Sequence, residues 1–185
     1  MRYFLDTEFN ERGPKYPIEL ISIALVCEDG QYYYAVSTDF NPRHAGQWVK
    51  DNVLLHLPER HPEPPPWGSP RVWGESRQWK PNREIAGDIL AFVGDDPAPE
   101  FWGYYCDYDW VVFCQLFGDM SQKPAGFPYY CRDLQQAIEE EDWGVMHSGP
   151  KQPDDAPHNA LSDARWIRET FLRYFVASPQ GSARQ

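Results

Sequence analysis

Residues 18–27 (IELISIALVC) form a nearly continuous apolar run, rich in β-branched and aliphatic side chains. A run so short and so uniform reads as a central strand buried on both faces. Before it stands a shorter apolar run, Tyr3-Phe4-Leu5, which leads straight into Asp6-Thr7-Glu8. After it, Glu28-Asp29-Gly30 has the chemistry of a tight turn, and residues 32–36 return as a third strand. The chain therefore opens on a three-stranded meander, with acids at the exit of its first strand.

The remaining pattern alternates helix and strand. Trp48, Val49, Val53 and Leu57 have helical spacing across residues 44–57. Residues 58–81 then hold seven of the 18 prolines, together with Trp67, Trp73 and Trp79. That composition excludes helix and interior strand and predicts a long ordered loop or lid. Its tryptophans are expected to cover the domain's own core, with base stacking or partner docking as the alternatives. Residues 82–93 are helical, with Ile85, Ile89, Phe92 and Val93 inward and Gly87 the one weak former.

Phe101-Trp102 begins a fourth strand that ends near Gly103. Asp107 suits the N-cap of a helix over 108–117, closed by Gly118. Tyr129-Tyr130 suggests a fifth strand, and residues 133–143 another helix. Residues 149–157 read as loop. Asn159 caps a last helix reaching Phe175, and residues 177–185 (ASPQGSARQ) read as a flexible tail. Strands first, then alternating elements, give one α/β domain over 1–176 with a mixed sheet flanked by helices. That order matches the ribonuclease-H-like architecture.

Charge restricts how such a domain meets other molecules. Lys and Arg total 17 against 28 Asp and Glu, a formal net charge of −11. Broad coating of duplex nucleic acid needs a basic face, which this balance disfavours. Phosphate met through bound cations stays open, because the metal then supplies the positive charge. Cys27, Cys106, Cys114 and Cys131 are scattered, without a CxxC pair, and read as free thiols in a reducing cytoplasm. No apolar run approaches the ~20 residues of a membrane span, and no leader precedes the first strand, so a cytoplasmic protein is expected.

Chemistry shows where acids interrupt apolar elements. Alternation puts Asp6 and Glu8 on one face of the first strand and Thr7 on the other. Two acids side by side on a core strand repel unless a cation lies between them. Asp109 falls in the first turn of the helix after the fourth strand. In the last helix, Ala160, Ala164, Ile167, Phe171 and Phe175 form the buried stripe, and Asp163 points along it. His158 lies at that helix's entrance. Four such carboxylates suit Mg²⁺ or Mn²⁺ in two-metal phosphoryl chemistry, the ions about 3.5–4 Å apart. A neutral His beside them can take a proton from an attacking water.

These residues carry a resemblance. The chain resembles the DEDDh branch of the DnaQ-like 3′–5′ exonucleases, related to RNase T and oligoribonuclease. The D-x-E motif is Asp6-Thr7-Glu8; the second motif is Gly103-Tyr104-Tyr105-Cys106-Asp107-Tyr108-Asp109, with Tyr104-Tyr105 where the family has His-Asn; H-x₄-D runs from His158 to Asp163. Within that branch, FLDTEF, IELISIALV, EDGQYYYAVST and DYDWVVFCQLFG look like the RNase AS group, bacterial exoribonucleases that prefer adenylate-rich RNA. The resemblance implies two Mg²⁺ or Mn²⁺ ions on Asp6, Glu8, Asp109 and Asp163, with His158 as general base. It implies single-stranded RNA 3′ ends as substrate, nucleoside 5′-monophosphates as products, and a homodimer. Phe9 is then placed to stack on the terminal base or to pack in the core, and Glu19 to accept from an adenine amine. A DNA exonuclease of proofreading type and a non-catalytic nucleic-acid-binding module on the same fold remain the alternatives.

Overall fold

The computed structural model describes residues 1–60, 78–141 and 158–177. Its sheet has six strands in the order β4-β3-β2-β1-β5-β6. They are β1 (Arg2–Asn10), β2 (Glu19–Cys27), β3 (Tyr32–Ser37), β4 (Trp79–Lys80), β5 (Glu100–Gly103) and β6 (Arg132–Asp133). β2 is antiparallel to both neighbours; β1, β5 and β6 run parallel, as do β3 and β4. Among the described residues five helices flank it: α1 (Gln47–Asn52), α2 (Asn82–Val93), α3 (Asp107–Gln115), α4 (Leu134–Glu141) and α5 (Ala160–Phe171). This mixed α/β arrangement is consistent with a ribonuclease-H-like one.

Every side chain of β2 from Leu20 to Cys27 is buried, as its uniform sequence requires. The sheet's two faces build two cores. On one, Tyr3, Leu5, Ile23 and Leu25 meet Ile85 and Ile89 of α2 and Val112 and Phe113 of α3. On the other, Phe4, Ala24 and Val26 meet Leu134 and Ile138 of α4 and Ala164, Ile167 and Phe171 of α5. Apolar residues at i, i+4 and i+7 give α5 its inward stripe. Arg168, at its far end, donates through Nη2 to the Glu28 carbonyl at 2.7 Å and through Nε to that of Cys27 at 3.1 Å. That clamp holds α5 across β1 and β2.

Several elements differ from expectation. Residues 44–57 are not one helix. A 3₁₀ turn (Pro42–His44), the six-residue α1 and a second 3₁₀ turn (Leu54–His56) share the segment. Val53 is buried, but Trp48, 57% exposed, is not. Trp79-Lys80 form β4 on the sheet edge, where proline-rich flanks are tolerated. Trp79 stacks on Phe40 and donates to the Pro58 carbonyl at 3.1 Å, so this tryptophan covers the core. Trp67 and Trp73 lie outside the described residues, as do residues 149–157 and 178–185. The last strand is Arg132–Asp133 rather than Tyr129-Tyr130, both of which are exposed.

Helix α3 begins one residue before its expected start, with Cys106 at the cap position and Asp107 already helical. The reason lies far along the chain: the Cys106 N–H donates to Asp133 Oδ2 at 2.9 Å. Asp133 Oδ1 also accepts from the Gln136 N–H at 3.1 Å, so one carboxylate satisfies the entrances of α3 and α4. Helix α5 ends at Phe171 and passes into a π-helical turn, Leu172–Val176, which carries Phe175 to the edge of the core.

Candidate active site

β5 ends at Gly103, one residue past Trp102, the partner of Phe4, while parallel β1 runs on to Asn10 and carries its acids beyond that end. The crevice at the carboxyl ends of parallel strands is where ligands of open α/β sheets bind. Asp6 and Glu8 continue the face of β1 that carries Phe4, toward α5. Thr7 continues the face of Leu5, toward α3. The β1–β2 pairing shifts between Glu8, opposite Ser22, and Phe9, opposite Leu20. Ile21 is thus the extra residue of a bulge beside the acids, a common place for one.

Asp109 is held from β1. Both the N–H and the Oγ1 hydroxyl of Thr7 donate to Asp109 Oδ1, at 2.9 and 2.6 Å. The β5–α3 turn must be tight to bring α3 this close. A Cβ on Gly103 would lie 2.3 Å from Cys106 Cβ and 3.3 Å from the Leu5 carbonyl oxygen, so only glycine fits. Asp163 comes from the first turn of α5. Asn159 caps that helix by accepting from the Ser162 N–H at 3.2 Å, and the Asn159 N–H donates to Asp163 Oδ2 at 3.3 Å.

The result is one cleft of about 270 Å³ with Asp6, Glu8, Asp109, Asp163 and His158 on its wall. Phe9, Trp48 and Tyr104 supply its aromatic lining. Glu8, His158 and Asp163 bring ligand atoms within 4.8 Å of one another. His158 is exposed, and its ring meets that of Trp48 edge-on at 4.7 Å between centroids. Phe9 both lines the cleft and stacks on Tyr108 at 5.8 Å and 12°. Glu19 stands apart from the cleft lining. Its carboxylate accepts from Asn10 Nδ2 at 2.8 Å and pairs with Arg12 Nη2 and His44 Nδ1, each at 3.7 Å.

Electrostatically the cleft is strained toward protons. Burial raises Asp6 well above the usual carboxylate range, and Asp109, Glu8 and Asp163 raise it further. Burial, then Asp163 and Asp109, pushes Glu8 up to about 8. Asp163 rises to about 6, mainly by burial, despite the Asn159 N–H that favours its charged form. Asp109 is raised by burial, and the Thr7 hydrogen bonds pull it back in part. Oxygen donors that resist ionising together fit a hard divalent cation, which stabilises every anion at once. Glu8 and Asp163, whose ligand atoms lie with that of His158 within 4.8 Å of one another, are the first carboxylates to hold one.

The profile of the 3′–5′ exoribonuclease Rv2179c-like domain matches residues 1–175. The chain belongs to this family. It is also similar, at 42% identity over 167 residues, to the 3′–5′ exoribonuclease Rv2179c of Mycobacterium tuberculosis strain ATCC 25618 / H37Rv. The 3′–5′ exoribonuclease MT2234.1 of strain CDC 1551 / Oshkosh matches equally well. In both cases 89% of this chain and 88% of the relative are covered.

Two cleft residues of this family member escape sequence reasoning. Thr7 reads from periodicity only as the residue facing away from the acids; its hydrogen bonds to Asp109 cross from one element to another. The hydroxyl between two acids of a D-x-E strand is the one signal available. Trp48 reads as a core position of a longer helix, and only the break of that helix after Asn52 frees it to face His158.

Proposed function

We propose that this chain is a metal-dependent 3′–5′ exoribonuclease that releases nucleoside 5′-monophosphates from single-stranded RNA and prefers adenylate-rich ends. The observation that carries the reading is the gathering of four carboxylates and a histidine, from β1, α3 and the entrance of α5, into one cleft. Membership of a 3′–5′ exoribonuclease family supports the direction of attack and the substrate class.

In this reading Asp6, Glu8, Asp109 and Asp163 hold two Mg²⁺ or Mn²⁺ ions. Bound there, the ions would supply charge stabilisation to both the attacking and the leaving oxygen of an in-line displacement at phosphorus. The protein's own residues do the rest. Thr7 fixes Asp109, and Asn159 fixes Asp163, so that both carboxylates are aimed before substrate arrives. His158, exposed at the rim, takes the proton of the attacking water. Phe9, backed by Tyr108, offers a ring face to the terminal base. Adenine selection through Glu19 would require its carboxylate to exchange Asn10 for the base amine. Glu19→Ala should then lower the ratio of rates on oligoadenylate and oligouridylate more than either rate.

A digestion series on 5′-labelled RNA and DNA homopolymers, with and without Mg²⁺ or Mn²⁺, tests the whole. Stepwise shortening from the 3′ end of RNA, metal-dependent and fastest on oligoadenylate, is expected. Equal rates on all RNA homopolymers would remove the adenine preference alone, and faster cleavage of DNA would reassign the substrate. Cleavage of circular RNA would overturn the exonuclease.

A further inference from the structure

Outside the cleft the described surface carries an uncommon group of rings. Tyr105, Tyr108, Tyr129 and Tyr130 are 67%, 50%, 72% and 58% exposed. Tyrosine presents a flat apolar face and a polar tip, so clusters of it serve recognition more often than packing. Two of the four connect directly to the cleft wall: Tyr108 stacks on Phe9, and Tyr105 meets Tyr104 edge-on at 4.5 Å. The backbone at Tyr105 takes a left-handed turn, φ 52°, a conformation better suited to glycine or asparagine. The ring is kept outward nonetheless.

The other two tyrosines are tied to the same end of the molecule. Trp110, next to Asp109, donates through Nε1 to the Tyr129 carbonyl at 3.3 Å. Each of them has a cation on its ring in this acidic chain. Lys123 Nζ stands 4.5 Å from the Tyr129 ring centre, and the Arg132 guanidinium 5.7 Å from that of Tyr130. Lys123 is itself held by the carbonyls of Phe127 and Pro124. Ring faces interleaved with cations are the chemistry that holds single-stranded nucleic acid without reading its sequence.

We propose that Tyr105, Tyr108, Tyr129 and Tyr130, with Lys123 and Arg132, form a stacking platform for the single-stranded RNA that lies 5′ of the nucleotide in the cleft. The inference rests on the exoribonuclease reading and extends it, since it assigns a path to the substrate beyond the reacting end. Successive bases stack on the rings, and the two cations meet phosphates. The acidic remainder of the surface repels any longer track. A second copy of this chain is the competing occupant, but rings joined to the cleft wall through Phe9 and Tyr104, with cations on the Tyr129 and Tyr130 rings, favour a polyanion.

Fluorescence anisotropy of 5′-fluorescein dodecaadenylate, with the full chain in EDTA, reads the platform without cleavage. The double variant Tyr129→Ala/Tyr130→Ala should raise Kd at least about tenfold, since each lost stack weakens binding by about that factor. Tyr129→Phe/Tyr130→Phe keeps the rings and should stay within about threefold of wild type. In Mg²⁺, the advantage in kcat/KM of the dodecamer over a dinucleotide should collapse in the alanine variant and return in the phenylalanine one. An unchanged Kd in the alanine variant overturns the platform, as does equal loss on dodecamer and dinucleotide. Sedimentation that shows a dimer lost while RNA affinity stays the same would give the face to a second copy. Failure of the wild type to shorten the dodecamer in Mg²⁺ or Mn²⁺ would instead sink the exoribonuclease reading, because the anisotropy result stands without it.

Discussion

Thr7 shows how much one side chain between two acids can decide. Its hydroxyl and its N–H converge on a single oxygen of Asp109, which leaves the other oxygen for the cleft. A hydrogen bond to a charged group is worth about 1.5–3 kcal/mol, so Thr7→Val should lower kcat on the order of 10–100-fold. Thr7→Ser should restore most of it. A valine variant with wild-type kcat would mean that the N–H alone aims Asp109. His158 makes a different demand. It touches the cleft from the solvent side, and its removal leaves the carboxylate cluster intact. His158→Ala should cost about 10²–10⁴ in rate while RNA affinity and the metal concentration for half-activation hold. A large rise in that metal concentration would make it a ligand rather than a base. Asp6, Glu8 and Asp163 were legible because they stand against the pattern of their elements: two carboxylates on a core strand, one on an apolar stripe. Asp109 is marked by its motif and His158 by its nearness to Asp163. Trp48 was not legible, because its spacing agrees with a core position and only the local break of α1 exposes it.

The elements that deliver these residues differ in how far the chain announced them. β2 and α2 lie where composition and periodicity place them, since their burial is nearly uniform or strictly 3.6-periodic. The start of α3 lies one residue before its expected place because Asp133, remote in sequence, takes the Cys106 N–H, and the last strand lies three residues beyond Tyr129-Tyr130. What β1, α3 and α5 then enclose has a thermodynamic consequence. Carboxylates raised in the folded chain bind more protons there than when unfolded. Their contribution to stability is fully present below their unfolded values, near pH 4. It is lost as pH rises through about 6 for Asp163 and about 8 for Glu8. The metal-free protein should therefore lose melting temperature steadily between pH 5 and 8. Mg²⁺ or Mn²⁺ should restore most of it at pH 8, by binding the folded state alone. Asp163→Asn should flatten that decline below about pH 6 and, by withdrawing a charge beside Glu8, lessen it above, while abolishing cleavage. Scanning calorimetry in EDTA that shows melting independent of pH over this window would deny the cluster its strain.

At the scale of the whole molecule, an acidic chain that acts on a polyanion has to place its few attractions carefully. With a formal charge of −11, its surface repels RNA on average, and the carboxylates of the cleft repel it most where it must enter. Divalent cations reverse that sign locally, so RNA affinity should rise when they are added, apart from any effect on cleavage. Rings carry the rest of the contact on the proposed platform, and stacking needs no counterion release. For a single strand, log K falls with log[salt] by about 0.7 per phosphate neutralised. Contacts through Lys123 and Arg132 alone predict a slope near −1.4, and a dissociation constant for dodecaadenylate that weakens only about sevenfold from 50 to 200 mM KCl in EDTA, where no cleavage occurs. A slope steeper than about −3.5 would need five or more phosphate contacts, a basic track that these two cations do not provide. Such a result would move the substrate path off the tyrosines. A shallow slope, with affinity that vanishes in the alanine variant, would fix the path on them.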